Sequence, residues 1–131
     1  IAVVVNKGNS IGEISSSDLK RIFLGEKTEW DGGNGKIFAI NLSPEDMVRQ
    51  KFQDKVIGMK VDELQKYWLD QKIKGKSIQT PNVQKSVLAI KTFVKKLPNA
   101  IAYLPLSEVD DSVKILKVNN ALPDDGRYIL K

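Results

Sequence analysis

SSSDLKRIFLG, residues 15–25, predicts a helix whose two ends are both marked in the sequence. Ser15 and Asp18 have the spacing of a capping box, which satisfies free main-chain amides at the start of a helix. Gly25 is the kind of residue that commonly ends a helix. The apolar residues between these ends share one helical face: Leu19, Ile22 and Phe23. A β-branched run, Ile1–Val5, precedes this helix, so the sequence predicts a strand followed by a helix.

Three more segments carry helix signals. In Ser43-Pro44-Glu45-Asp46, a serine at the N-cap, a proline at the first helical position and acids in the first turn agree on a helix start. This helix is expected to stop at Gly58. A further helix is predicted over Val61–Lys74. The last is predicted over Asn82–Leu97, where apolar residues recur at alternating steps of four and three.

Five short segments carry strand signals, and helices separate most of them. These segments are Ile1–Val5, Lys36–Ile40, Ala100–Leu104, Val113–Val118 and Tyr128–Leu130. Strands that alternate with helices indicate an α/β layer in which at least some strands pair in parallel. The 131 residues fit a single domain, residues 1–131, which is large enough to bury a core without disulfides or metal ions.

The composition excludes several classes of site. The sequence has no cysteine and no histidine, which removes thiolate nucleophiles, the usual zinc ligands and any histidine-based triad. The net charge is +5, but aromatic residues are few (7%) and do not alternate with a basic stripe, so no nucleic-acid partner is predicted. No apolar run approaches the ~18 residues that a membrane span needs.

Paired carboxylates are the main remaining route to catalysis. Asp110-Asp111 and Asp124-Asp125 are the candidates, and both pairs lie in segments that look like turns. Aspartates favour turns because their side chains bond to nearby main-chain groups, and this explains both pairs without catalysis. We therefore expect a protein that is not an enzyme and that carries no cofactor.

A set of motifs in a fixed order resembles a known family. The motifs are Val3–Lys7, Ser17–Gly25, Trp30, Ile37–Ile40 and Asn99–Leu104. In this order they resemble the second lobe of the phosphate-binding component of ABC importers, and still more the short, single-lobe proteins of that superfamily. The segment DLKRIFLGEKTEW, residues 18–30, is the most specific part, and the resemblance covers about residues 1–116. It implies one lobe of a type II periplasmic-binding-protein-like fold, with a central, mostly parallel sheet flanked by helices.

The resemblance also implies where an anion would bind. In the family, an Arg-Ser-Asp-Gly-Ser-Gly-Thr-like turn that enters a helix contacts the anion, and the matching positions here are residues 42–48. Of this turn only Ser43 is retained, and Leu42 stands in the arginine place. We predict that Ser43, with Asn41 and Ser77, binds a small anion such as phosphate weakly. The alternative for Ser43 is a plain helix cap.

The residues around Ser43 work against a tight phosphate site. Glu45 and Asp46 bring negative charge to the place where the anion would sit. Two like charges ~4 Å apart repel by ~1 kcal/mol in water, and by more in a drier cleft. Arg49 follows Glu45 by four residues, and we expect the two to form an ion pair at the surface; the alternative is that Arg49 is an anion ligand.

Two functions remain open. The first is a non-enzymatic solute-binding domain, periplasmic or secreted after removal of a signal peptide, as the resemblance implies. A single lobe has an open face, so a homodimer or a protein partner could supply the missing lobe. The second is a protein–protein interaction domain that keeps the fold but has lost the solute site, because the arginine and the Ser-Gly-Thr turn are absent.

Overall fold

The computed structural model of the chain describes residues 1–33 and 35–131, and these residues form seven strands and four α-helices. The strands are β1 (Ala2–Val5), β2 (Glu13–Ile14), β3 (Phe38–Leu42), β4 (Asn82–Gln84), β5 (Ala100–Leu104), β6 (Lys114–Ile115) and β7 (Lys117–Val118). The helices are α1 (Ser16–Leu24), α2 (Met47–Phe52), α3 (Val61–Ile73) and α4 (Val87–Lys96). A π-helical turn, Gln53–Ile57, continues α2.

A five-stranded sheet organises the molecule, with its strands in the order β4-β3-β5-β1-β6. Strand β3 is parallel to both of its neighbours, β4 and β5, whereas β1 is antiparallel to β5 and β6. Four of the five strands therefore point the same way, which confirms the predicted α/β fold with a mostly parallel sheet. The short strands β2 and β7 form a separate parallel pair.

The core lies around the two central strands. Every residue of β1 and of β5 is buried, as expected of strands covered on both faces. Helix α4 packs against both strands, and three aromatic rings cluster beside them: Phe23, Phe52 and Tyr103. The Trp68 indole nitrogen donates to the Leu24 carbonyl at 2.9 Å, which ties α3 to the end of α1. No helix in the described part of the chain is both long and apolar enough to cross a bilayer.

Helix α1 confirms the prediction from residues 15–25. The Ser15 hydroxyl accepts a hydrogen bond from the Asp18 amide at 3.0 Å, so Ser15 is the N-cap. Gly25 has a left-handed conformation, φ 83°, and its amide bonds back to the last turn. Helix α3 likewise begins at Val61 as predicted.

The predicted start of the second helix at Ser43 is wrong. Helix α2 begins at Met47, and Asp46 is its N-cap, because the Asp46 carboxylate accepts from the Val48 amide at 2.8 Å. The Ser43 carbonyl accepts from the Asp46 amide at 3.0 Å, which closes a turn with Pro44 at its second position. Proline favours that turn position as much as a first helical position, so the same residues fit both structures.

Other boundaries also differ from the sequence prediction, among them that of β3, which was predicted over Lys36–Ile40 and spans Phe38–Leu42. The fourth helix begins at Val87, because Asn82–Gln84 pairs with β3 as strand β4 and Ser86 caps the helix instead. The predicted strand over residues 113–118 divides at Leu116 into β6 and β7. No strand forms over Tyr128–Leu130: residues 129–130 form a turn, and the Tyr128 hydroxyl donates to the Ile1 carbonyl at 2.8 Å.

We expect Gly25→Ala to destabilise the fold more than Gly75→Ala. Both glycines have left-handed backbones, with φ 83° and 76°, and an alanine there costs about 1–2 kcal/mol. A Cβ on Gly25 would also lie 2.6 Å from the Gln79 carbonyl oxygen, whereas a Cβ on Gly75 meets nothing within 4 Å. Overpacking of this kind adds about 1–3 kcal/mol. Urea unfolding measures both losses, and equal losses would contradict the packing described here.

Candidate anion site

The candidate site is a cavity of about 540 Å³ beside the carboxyl end of β3. Loops at the carboxyl ends of parallel strands are the usual ligand-binding places of open α/β sheets. Helix α3 and the segment that contains β4 complete its walls. Its polar lining residues are Asn41, Arg49, Gln65, Lys66, Lys72 and Thr80. Its apolar lining residues are Pro44, Trp68, Leu69, Pro81 and Val83.

Arg49 is the unusual residue of this cavity. It lies on the inner face of α2 and is only 1% exposed. Its Nη1 donates to the Leu42 carbonyl at 3.0 Å, while its Nε is buried without a hydrogen-bond partner among the described residues. Within residues 1–33 and 35–131, no carboxylate lies within 4.0 Å of it. The guanidinium is therefore a buried charge with a single main-chain acceptor.

The predicted surface pair between Arg49 and Glu45 is consequently wrong. The prediction assumed that both residues were one turn apart on a helix that starts at Ser43. Since α2 starts at Met47, Glu45 lies in the preceding turn and is exposed, while Arg49 points to the interior. Arg49 precedes the buried Phe52 by three residues and the buried Gln53 by four, so it shares their face.

Burial lowers the pKa of Arg49, and the charges of Tyr103 and Glu45 only partly oppose this effect. A guanidinium still remains protonated at any ordinary pH, so the protein holds the positive charge and bears the desolvation cost. Lys66 and Lys72 add positive charge to the lining, and no Asp or Glu of the described residues lines the cavity. The electrostatics therefore favour an anion.

Asn41 lies at the same end of the cavity and is held by Tyr103. The Tyr103 hydroxyl donates to Asn41 Oδ1 and accepts from the Leu42 amide at 3.4 Å. The Tyr103 ring stacks on Phe52 with 3.9 Å between ring centroids. Burial raises the pKa of Tyr103, so its hydroxyl stays a neutral donor. Because this bond engages the amide oxygen, the NH₂ group of Asn41 is the end left for a ligand.

The structure does not bring the three predicted ligand residues together in one pocket. Asn41 lines the cavity. Ser43 is buried in the turn that follows β3, outside the cavity lining. Ser77 is exposed in the connector between α3 and β4. A role for any of them in anion binding stays a prediction. Sequence reasoning placed Arg49 at the surface because the helix start was misplaced, although its spacing to Phe52 was a signal of burial.

No family model matches the sequence. The fold is nevertheless similar to solved structures of phosphate receptors. An ABC-type phosphate transport receptor from Vibrio cholerae is 26% identical, with a TM-score of 0.75, and the match covers 93% of this chain and 47% of that one. A phosphate ABC transporter substrate-binding protein from Clostridium perfringens, with bound phosphate, is also 26% identical with a TM-score of 0.75, and the match covers 92% and 45%.

PstS from Borrelia burgdorferi shares the fold, with 22% identity and a TM-score of 0.72. That match covers 93% of this chain and 48% of that one. The chain therefore spans about half the length of the structures it matches. Its described residues have the fold of one lobe of a phosphate ABC transporter substrate-binding protein, which confirms the resemblance inferred from the motifs.

We expect Arg49→Met to leave the free energy of unfolding unchanged or to raise it, in the absence of a ligand. The substitution keeps most of the side-chain volume and removes an unpaired buried charge, a change that is often neutral or stabilising by about 1–4 kcal/mol. Chemical denaturation at low ionic strength measures it. A loss of several kcal/mol would show instead that the guanidinium stabilises the fold through its bond to Leu42.

Proposed function

We propose that this chain is a non-enzymatic, single-domain solute-binding protein that takes a small anion such as phosphate, weakly, into the cavity at Arg49. One observation carries the proposal: the buried guanidinium has no carboxylate partner and lines a cavity with no acidic residue among those described. An anion would neutralise this charge and accept the unused Nε–H donor. Two similar proteins are named for phosphate transport, which supports the choice of phosphate.

The geometry around Arg49 suits an oxyanion. With Nη1 bonded to Leu42, Nε is a guanidinium donor left without a hydrogen-bond partner among the described residues, and an oxyanion is the acceptor that guanidinium donors bind best. The NH₂ group of Asn41 can supply another donor. Hydrogen bonds between ionised partners are about twice as strong as neutral ones. Binding is nevertheless weak on this proposal, because exposed lining residues such as Lys66 and Leu69 leave the cavity open to water.

The turn after β3 is a poorer anion site than the cavity. Leu42 provides no charge, and the exposed Glu45 repels an anion. The Asp46 carboxylate already accepts from the Val48 amide, one of the free donors at the start of α2. These features support a binding site at Arg49 instead of at the turn, in which Asn41 is retained from the predicted set and Ser43 lies outside the cavity lining.

The similarity to transport receptors also supports the remaining parts of the proposal. A sequence without histidine or cysteine lacks the commonest general bases and nucleophiles, which favours binding over catalysis. On the same analogy we place the protein in the periplasm or outside the cell. A homodimer or a protein partner that covers the open side of the cavity would strengthen binding by excluding water.

Thermal unfolding in phosphate, sulfate and chloride at matched ionic strength tests the anion site. A ligand at ~100 times its Kd adds ~2.7 kcal/mol to the folded state. For a domain of this size that raises the Tm by roughly 5–15 °C. We expect phosphate to raise the Tm above chloride in the wild type and in Arg127→Met, which removes an exposed arginine, but not in Arg49→Met. Equal Tm values in all three salts would contradict the proposal.

A second candidate function, a protein-interaction domain without a solute, is favoured by a specific surface. Leu69 and Ile73 lie one turn apart on α3 and are 61% and 75% exposed. Large apolar residues that adjoin in this way commonly mark protein contacts. Since Ile73 is not a lining residue of the cavity, its contribution can be separated from solute binding.

On this second candidate, Ile73→Gln abolishes self-association at micromolar concentration, because it removes apolar surface from the contact. Sedimentation velocity of the wild type and the variant measures the effect. Leu122→Gln is the control, because Leu122 is also exposed but lies outside α3. A wild type that stays monomeric at every concentration would count against association between copies.

A further inference from the structure

We propose that the ligand of this cavity is an organic anion: an oxyanion head group bound at Arg49 and Asn41, joined to an apolar body that covers Leu69 and Val83. The inference rests on the proposed anion-binding function and names the chemical class of its ligand. It differs from inorganic phosphate by the apolar body.

The size of the cavity is the first argument. Its volume of about 540 Å³ lies in the range of pockets that hold drug-sized molecules, roughly 300–1,000 Å³. A water molecule occupies about 30 Å³ of liquid volume, and a five-atom oxyanion is only a few times larger. Inorganic phosphate at Arg49 would therefore leave most of the cavity to solvent.

The distribution of polarity is the second argument. Two polar residues lie at the buried end, where Arg49 is 1% and Asn41 2% exposed, whereas the other polar lining residues are exposed: Gln65, Lys66, Lys72 and Thr80. Two large apolar residues share the mouth with these polar ones, since Leu69 is 61% and Val83 47% exposed. Apolar side chains at the entrance do not stabilise a small hydrated ion bound inside. A ligand that enters with its charged head first places an apolar tail against them and removes their surface from water.

The walls are already fixed in place, which is the third argument. Trp68 lines the cavity, and its indole is held in place because Nε1 donates to the Leu24 carbonyl. Pro44 and Pro81 add two rigid apolar surfaces to the lining. A preformed apolar wall lowers the entropy cost of binding a matching group. Lys66 and Lys72 attract anions of any shape, so they contribute little to the choice of ligand.

Calorimetric titration of the chain with inorganic phosphate, phenylphosphonate, benzoate and benzyl alcohol tests the inference. Burying one aromatic ring is worth about a 10- to 100-fold gain in affinity. We expect phenylphosphonate to bind tighter than inorganic phosphate by that factor, and benzyl alcohol, which lacks the anionic head, to bind much more weakly. The affinity for benzoate shows whether the site binds a carboxylate head group as tightly as a tetrahedral oxyanion. Tight binding of either compound supports an organic anion as the ligand.

Two variants locate the apolar body. Leu69→Ser should weaken phenylphosphonate at least 3-fold and leave inorganic phosphate unchanged, because only the organic ligand reaches the mouth. The matched control is Leu88→Ser, since Leu88 is 73% exposed on α4 and outside the cavity lining. It should change neither affinity.

The outcomes separate this inference from the proposed function. Equal affinities for phosphate and phenylphosphonate, both lost in Arg49→Met, would overturn the organic ligand while supporting the anion site. No binding of any anion would overturn both. Binding of benzyl alcohol as tight as that of phenylphosphonate, and unaffected by Arg49→Met, would also overturn both, because the cavity would then be a purely apolar pocket.

Discussion

The hydrogen bond from the Arg49 guanidinium to the Leu42 carbonyl joins the first turn of α2 to the end of β3. It holds a side chain with a full positive charge in the interior of the protein. Charges are rarely buried without a counter-charge, because the loss of hydration costs several kcal/mol. Here the only protein acceptor described for the guanidinium is a neutral carbonyl. The unused donor and the buried part of the cavity's positive charge follow from this one placement.

The fold builds a rigid support around that charge. Strand β3 lies between two parallel neighbours, and its backbone at Asn41 and Leu42 pairs with Val83 and Gln84 of β4. The stacked rings of Phe52 and Tyr103 fix α2 over β5, and the Tyr103 hydroxyl orients the Asn41 amide. Residues locked in this way by packing and second hydrogen bonds can present donors without rearranging, which is what a binding site requires. Two similar proteins of known structure are named for phosphate transport, and one of them holds bound phosphate. This chain matches about half of each.

The sequence correctly predicted the elements whose boundaries are set by residues that lie close together in the chain. Helix α1 has its cap, its apolar face and its terminal glycine within eleven residues, so sequence alone found both ends. The start of α2 depended on whether Pro44 occupied a turn or a first helical turn, and the hydrogen bond between Ser43 and Asp46 decided it. Strand β4 was hidden inside a predicted helix, because its pairing with β3 joins segments about forty residues apart. Arg49 was misjudged for the same reason: its burial follows from the position of the helix start, and its unpaired state from the whole surrounding fold.

The most direct test of the buried, unpaired guanidinium as the anion-binding group is the Nε–H resonance of Arg49 during titration with phosphate. The sequence has three arginines, so Arg21 and Arg127, both largely exposed, serve as internal references in the same spectrum. We expect a saturable shift of the Arg49 signal alone, which chloride at equal ionic strength does not reproduce. A signal of Arg49 that stays unmoved, or that moves in proportion to ionic strength together with the other two, would contradict it.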